Sequence, residues 1–162
     1  MLFERSRFKT AGSALRFNAL IEEWDEDLYP DRESGLRLDR AAIGARDLRA
    51  DQLLRDDLVL TCSPDYRAIL VFPESYWNDT LRPTLESLPN QDPESRRFQR
   101  VLLGHATPVS RDDPLIVPVT QMHFARLTGD NVLIVFDAEY AEIWSDSQLA
   151  RIASNLDDLL VC

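Results

Sequence analysis

Apolar and polar positions along the chain follow one pattern that is written twice. In the first half the run Leu58-Val59-Leu60-Thr61-Cys62 leads through Asp65 and Tyr66 to Ala68-Ile69-Leu70-Val71-Phe72, after which Pro73-Glu74-Ser75 opens a helix. In the second half Val132 to Phe136 leads through Glu139 and Tyr140 to Ala141-Glu142-Ile143-Trp144, and Ser145 to Gln148 opens a helix. Short apolar runs bounded by turn residues predict strands, so each half reads strand, turn, strand, helix. Upstream of each unit lies a further matching block, Gly35-Leu36-Arg37-Leu38-Asp39 and Pro114-Leu115-Ile116-Val117-Pro118, followed by a short helical pattern. The echo spans roughly residues 31–88 and 109–160 and predicts two structural repeats.

Between the two units the run from Glu94 to Ala106 carries the marks of a capped helix. Asp92 is placed to N-cap it, Pro93 suits the first helical position, and Glu94 complements the positive end of the dipole. Gly104 is expected to end it as a C′ glycine. Phe98, Val101 and Leu102 recur at i, i+3 and i+4 as a buried stripe, which leaves Arg96, Arg97 and Arg100 as a basic face. Trp77, Leu81, Leu85 and Leu88 form a second stripe that Pro83 must bend or interrupt. Leu149, Ile152, Leu156 and Leu159 form a third behind the Ser145-to-Gln148 capping box. Trp77 and Trp144 are expected as large anchors in the core or at a subunit interface.

Length and charge narrow the possibilities. A chain of 162 residues makes one compact domain or two small repeats. No stretch approaches a membrane span, and Arg5, Arg7 and Lys9 are followed by no apolar signal region, so a cytoplasmic location is expected. Cys62 and Cys162 lack metal-ligand spacing and are expected as reduced thiols. The formal net charge is −10, with acids gathered at Glu22-Glu23-Trp24-Asp25-Glu26-Asp27 and bases at Arg5 to Arg16 and Arg96 to Arg100. His105 and His123 stand apart from any Cys, Asp or Glu in zinc-ligand spacing, and with five glycines there is no material for a phosphate-cradling loop. Both histidines are expected as helix-end or half-buried packing residues. Catalysis, metal binding and a cofactor are therefore not expected.

Taken with its flanks, the segment from Glu94 to Ala106 resembles the central linker helix of the MraZ family, bacterial regulators of the division and cell-wall gene cluster built from two AbrB-like repeats. The resemblance implies an α+β fold of two pseudo-symmetric, swapped-hairpin AbrB-like β-barrel repeats with linking helices. The first repeat would occupy residues 1–90 with a basic N-terminal arm, and the linker helix and second repeat residues 91–162. It also implies a nucleoid-associated, sequence-specific DNA-binding regulator that acts as a homo-oligomeric ring, its loops adding up on a direct-repeat operator by avidity.

In that family DNA contact comes from a loop motif, Asp-x-x-Gly-Arg followed by Leu-x-Val-Pro, once per repeat. The first copy here, Asp31 to Asp39, keeps Asp31 and Leu36 but has Ser34 and Gly35 where the glycine and arginine belong. The second, Ser110 to Pro118, keeps Leu-x-Val-Pro and loses the aspartate, glycine and arginine together. Candidate DNA-binding residues are therefore Asp31, Arg32, Gly35, Arg37 and Arg111, with Arg40 nearby, as a displaced set meeting phosphate. Alternatively Arg32, Arg37 and Arg40 pair with Asp31, Glu33 and Asp39 on the surface. Asp112 and Asp113 would repel phosphate directly. The degraded loops and the acid balance keep open a different class of function, a scaffold-only paralogue that has lost DNA reading and serves as an oligomeric interaction module.

Overall fold

The computed structural model describes residues 15–18, 20–22, 27–28, 35–65, 67–127, 131–136 and 139–145. Its strands are β1 (Leu15–Asn18), β2 (Leu20–Glu22), β3 (Gly35–Leu38), β4 (Leu58–Cys62), β5 (Ile69–Pro73), β6 (Thr107–Val109), β7 (Leu115–Pro118), β8 (Asn131–Phe136) and β9 (Ala141–Ser145). They build a six-stranded antiparallel sheet in the order β1-β8-β9-β5-β4-β6 and a three-stranded sheet in the order β2-β3-β7. With the helices below, the class is α+β. The expected closed barrels are corrected: among the described residues both sheets are open. The β6 edge carries Pro108, which has no N–H with which to continue the ladder.

The larger sheet reads as a palindrome when the two halves are exchanged. The hairpins β4–β5 and β8–β9 meet where β5 pairs β9, with Ile69 opposite Ile143. Register repeats as well as order: Leu58 faces Val109 as Val132 faces Phe17, and Leu60 faces Thr107 as Ile134 faces Leu15. Each half thus lends an edge strand to the hairpin of the other, β1 to β8 and β6 to β4. In the smaller sheet β3 pairs β7 through Leu36–Val117 and Leu38–Leu115.

Strand alternation sorts the core into two faces. Leu58, Leu60, Cys62, Ile69 and Val71 pack with Leu36, Leu38, Leu115 and Val117, which places the main core between the two sheets. Val59, Leu70 and Phe72 point the other way, onto Trp77, Leu85 and Leu102. Trp144 is buried with Ala68 and Val135. Cys62 is fully buried, and desolvation pushes its thiol up to about 11, so it stays protonated and inert at neutral pH.

Helices fill the connections. Asp39 accepts the N–H groups of Ala41 and Ala42 to cap α1 (Arg40–Gly44), and Asp47 does the same for Arg49 and Ala50 at the start of α2 (Leu48–Leu54). After β5 a continuous helix α3 covers residues 74–86, with a π turn over Trp77–Leu81 between α-helical segments. Pro83 explains it: the widened turn keeps the proline ring from the carbonyl it would strike in a regular helix, so the helix bulges without breaking. The linker helix α4 (Pro93–Gly104) has Asp92 as its cap, buries Val101 and Leu102, and half-buries Phe98. Gly104 lies inside this helix, and His105 caps it with φ −103°, so the expected C′ glycine is corrected. The helix α5 (Val119–Ala125) ends at Arg126 in the left-handed region, φ 56°. The stripe Leu149 to Leu159 and nearly all of the basic arm from Arg5 to Arg16 lie outside the described residues.

Candidate nucleic-acid interface

The sequence points to the segments that lead into β3 and β7. Of the candidates ahead of β3, Asp31 and Arg32 lie outside the described residues, as do Glu33 and Ser34. Gly35 is the first residue of β3 and is buried. A Cβ there would stand 2.2 Å from the Val117 carbonyl oxygen and 2.7 Å from Ile116 Cγ2. The position needs glycine for a close approach of β7. Arg37 is exposed between buried Leu36 and Leu38, so it stands on the outer face of the three-stranded sheet, opposite Ile116 on β7.

The second segment is a folded turn. The Asp113 N–H donates to the Ser110 carbonyl at 3.0 Å, and the Asp112 N–H to Ser110 Oγ at 3.3 Å. The Arg111 N–H donates to Asp57 Oδ1 at 2.8 Å, while Arg111 itself is exposed. Arg40 ties the turn to the first half. Its Nη2 donates to the Ser110 carbonyl at 2.7 Å, and its Nη1 to the carbonyls of Leu54 at 2.9 Å and Asp56 at 3.3 Å. Burial pulls the Arg40 pKa below its usual value, and Asp113, Asp57 and Asp112 oppose that pull. Arg40 is thus committed to carbonyls, which corrects its expected place among phosphate-meeting arginines and its expected surface pairing. Asp39 is likewise committed, to the cap of α1.

Register separates the two segments. Gly35 pairs Pro118 and Leu38 pairs Leu115, three residues along, so they enter the β3–β7 pair at ends about 10 Å apart. Arg37 lies next to the end at which the Ser110–Asp113 turn enters. Arg32 precedes Leu36 by the same four residues that separate Arg111 from Leu115, which makes them equivalent positions. The equivalence is legible in the sequence, because setting Leu36 against Leu115 pairs the two arginines. The Arg40 tie was not legible, because its acceptor is a backbone carbonyl 70 residues away.

The remaining candidates serve structure. The His105 ring meets Phe124 edge-on at 4.6 Å. His123 is exposed, where half-burial was a possibility. Gln121 is buried, and its Nε2 donates to the His105 carbonyl at 2.7 Å and to Thr107 Oγ1 at 3.1 Å, locking the end of α4 to α5. Among the described residues there is no metal-binding group of three or more His, Cys, Asp or Glu, and no helix long and apolar enough to cross a membrane.

No family model matches the chain. Individual relatives do. A transcriptional regulator MraZ of a Marinomonas species is 35% identical over 113 residues, 67% of this chain and 73% of that protein. The chain belongs to the MraZ family. The MraZ of Legionella pneumophila is 30% identical over 129 residues, 74% of this chain and 80% of the relative. That of Coxiella burnetii is 36% identical over 93 residues, with 56% and 60% covered. These MraZ relatives are named as transcriptional regulators, a class distinct from enzymes.

Proposed function

We propose that this chain is a DNA-binding transcriptional regulator of the MraZ kind, acting in the cytoplasm at the nucleoid on division and cell-wall genes as a homo-oligomeric ring. The observation that carries the reading is the match, over two thirds of the chain, to a relative named as a transcriptional regulator. In this reading the two halves, residues 1–90 and 91–162, are AbrB-like repeats, and the palindromic sheet with exchanged edge strands is what such repeats would build. Arg32 and Arg111 are equivalent phosphate-contacting positions, Arg37 adds a cation on the outer sheet face, and Asp31 orients the first segment. Gly35 contributes by letting β3 and β7 close up. Weak contacts from successive protomers add up on direct repeats.

The test is fluorescence anisotropy of a duplex with tandem direct repeats, at low and physiological salt, with Arg32→Ala, Arg37→Ala and Arg111→Ala beside the parent. Each arginine that neutralises a phosphate contributes about 0.9 to the slope of log affinity against log salt, so each variant should flatten that slope by about one. A second reading is favoured by the acids around the second turn: Asp57, Asp112 and Asp113 all act on Arg40, and Asp112 and Asp113 are exposed. A scaffold-only protein would bind no duplex even at low salt, and that result would replace the regulator reading.

A further inference from the structure

Among the described residues, the arginines of α4 are a positive feature that the reader segments leave unexplained. Arg96 and Arg100 are one helical turn apart, about 6 Å along the axis, and both are exposed. They are shared by two adjoining hollows of about 430 and 420 Å³, one bordered by Asn90 and Gln99, the other by Pro93, Arg97 and Val101. The surroundings hold in place the helix that carries these arginines. Gln99 Nε2 donates to the Leu85 and Leu88 carbonyls at 2.7 and 3.1 Å, which fixes the helix against α3. Arg97 donates from Nε and Nη2 to the Pro64 carbonyl at 3.1 and 2.8 Å, which fixes it to the β4–β5 turn. Neither Arg96 nor Arg100 has a salt bridge among the described residues, in a chain whose net charge is −10.

Two placements put this face away from the reader segments. Leu102 and Phe98 pack on Val59, Leu70 and Phe72, the side of the six-stranded sheet turned from the three-stranded sheet, whereas Arg37 points outward from the latter. A sheet-to-sheet layer and a helix layer, each about 10 Å, lie between them. The Pro64 turn also adjoins the Cys62 end of β4, while the Ser110–Asp113 turn is held by Asp57 at the Leu58 end.

We propose that the arginine face of α4 is a second, sequence-independent duplex-binding surface, so that the protein holds one DNA segment at its reader segments and another at α4. The chemistry fits a phosphate backbone. Guanidinium forks match phosphate oxygens, one hollow is bordered by the polar side chains of Asn90 and Gln99, and none of the residues lining either is aromatic or an acid. The proposal rests on the regulator reading only for the first segment.

The experiment measures anisotropy of a labelled operator duplex and of a labelled scrambled duplex, and capture of the scrambled duplex by protein bound to immobilised operator. It uses the full chain, Arg96→Ala/Arg100→Ala, the corresponding double lysine variant, and Arg37→Ala. The double alanine variant should bind scrambled duplex about tenfold more weakly, with a salt slope flatter by about 1.8, and should lose capture while operator affinity changes less than twofold. The lysine variant should recover most of the binding, because charge is kept. Unchanged scrambled binding, or, in a parent that prefers operator, no capture or an equal loss on operator, would each overturn the proposal. So would binding of an oligoglutamate peptide in place of duplex, which would assign the face to an acidic protein. If the parent binds operator no better than scrambled duplex and Arg37→Ala changes neither, the regulator reading fails while the α4 comparison still stands.

Discussion

Between β3 and β4 the chain runs through residues 39–57 and two helices, whereas between β7 and β8 it runs through residues 119–130 and, among the described residues, one. The strands on either side are nearly superimposable in register; the connectors are not. A strand in this sheet is constrained from both neighbours and from the core face, so a one-residue slip would turn its whole apolar set outward. A connector meets no such condition and is free to diverge. The consequence is chemical. Asp39 caps α1 through its side chain, but Pro118, which stands in its place in the second half, supplies no side-chain cap. Arg40 holds the Ser110 turn, but its counterpart Val119 has no side-chain donor. The Ser110 turn is tied by a side chain of the other half, and the corresponding position in the second half carries a side chain that cannot donate.

The largest expected effect tests the point where the halves touch. Gly35→Ala would drive a methyl into backbone of β7 at 2.2 Å, which no rotamer change relieves. It should cost about 3 kcal/mol in urea unfolding, the upper range for overpacking. Pro114, the equivalent residue, is exposed, and Pro114→Ala should stay within about 0.5 kcal/mol. Equal effects at the two positions would break the claim that the close approach is one-sided.

Next in size is Arg40→Ala. It removes a charged donor from three carbonyls and frees Ser110, at a cost of about 2 kcal/mol. It should also raise amide hydrogen exchange at Asp112 and Asp113, whose N–H groups close the turn. Exchange that stays as slow as in the parent would mean that Asp57 alone holds the turn. Asp39→Ala should cost about 1 kcal/mol by uncapping α1, with no parallel at Pro118.

What was legible in the sequence follows the same division. The strand pairs from Leu58 to Phe72 and from Val132 to Trp144 could be read because apolar runs between turn residues have few other uses. The N-cap at Asp92 could be read because its chemistry is local. Pro83 announced a disturbance but not its form, since a π turn and a break satisfy the same missing N–H. The exchange of β1 and β6 between the halves was out of reach of pattern alone, because Phe17 meets Val132 only once both halves are folded. The role of Gly35 was not legible for a related reason: a glycine needed by a distant strand carries no mark of that strand in its own segment.

The smallest effect separates Gly35 from Gly104 and has the opposite sign. Gly104 sits in the last turn of α4, exposed, with no heavy atom within 4 Å of where a Cβ would be and no left-handed φ to protect. Alanine there meets no clash and removes unfolded-state freedom that the glycine gives up on folding, so Gly104→Ala should stabilise by about 0.5 to 1 kcal/mol. A rise in the urea midpoint with an unchanged slope is the expected result. Destabilisation would mean that the helix end does need a glycine conformation after all, returning Gly104 to the C′ role that its sequence position suggests.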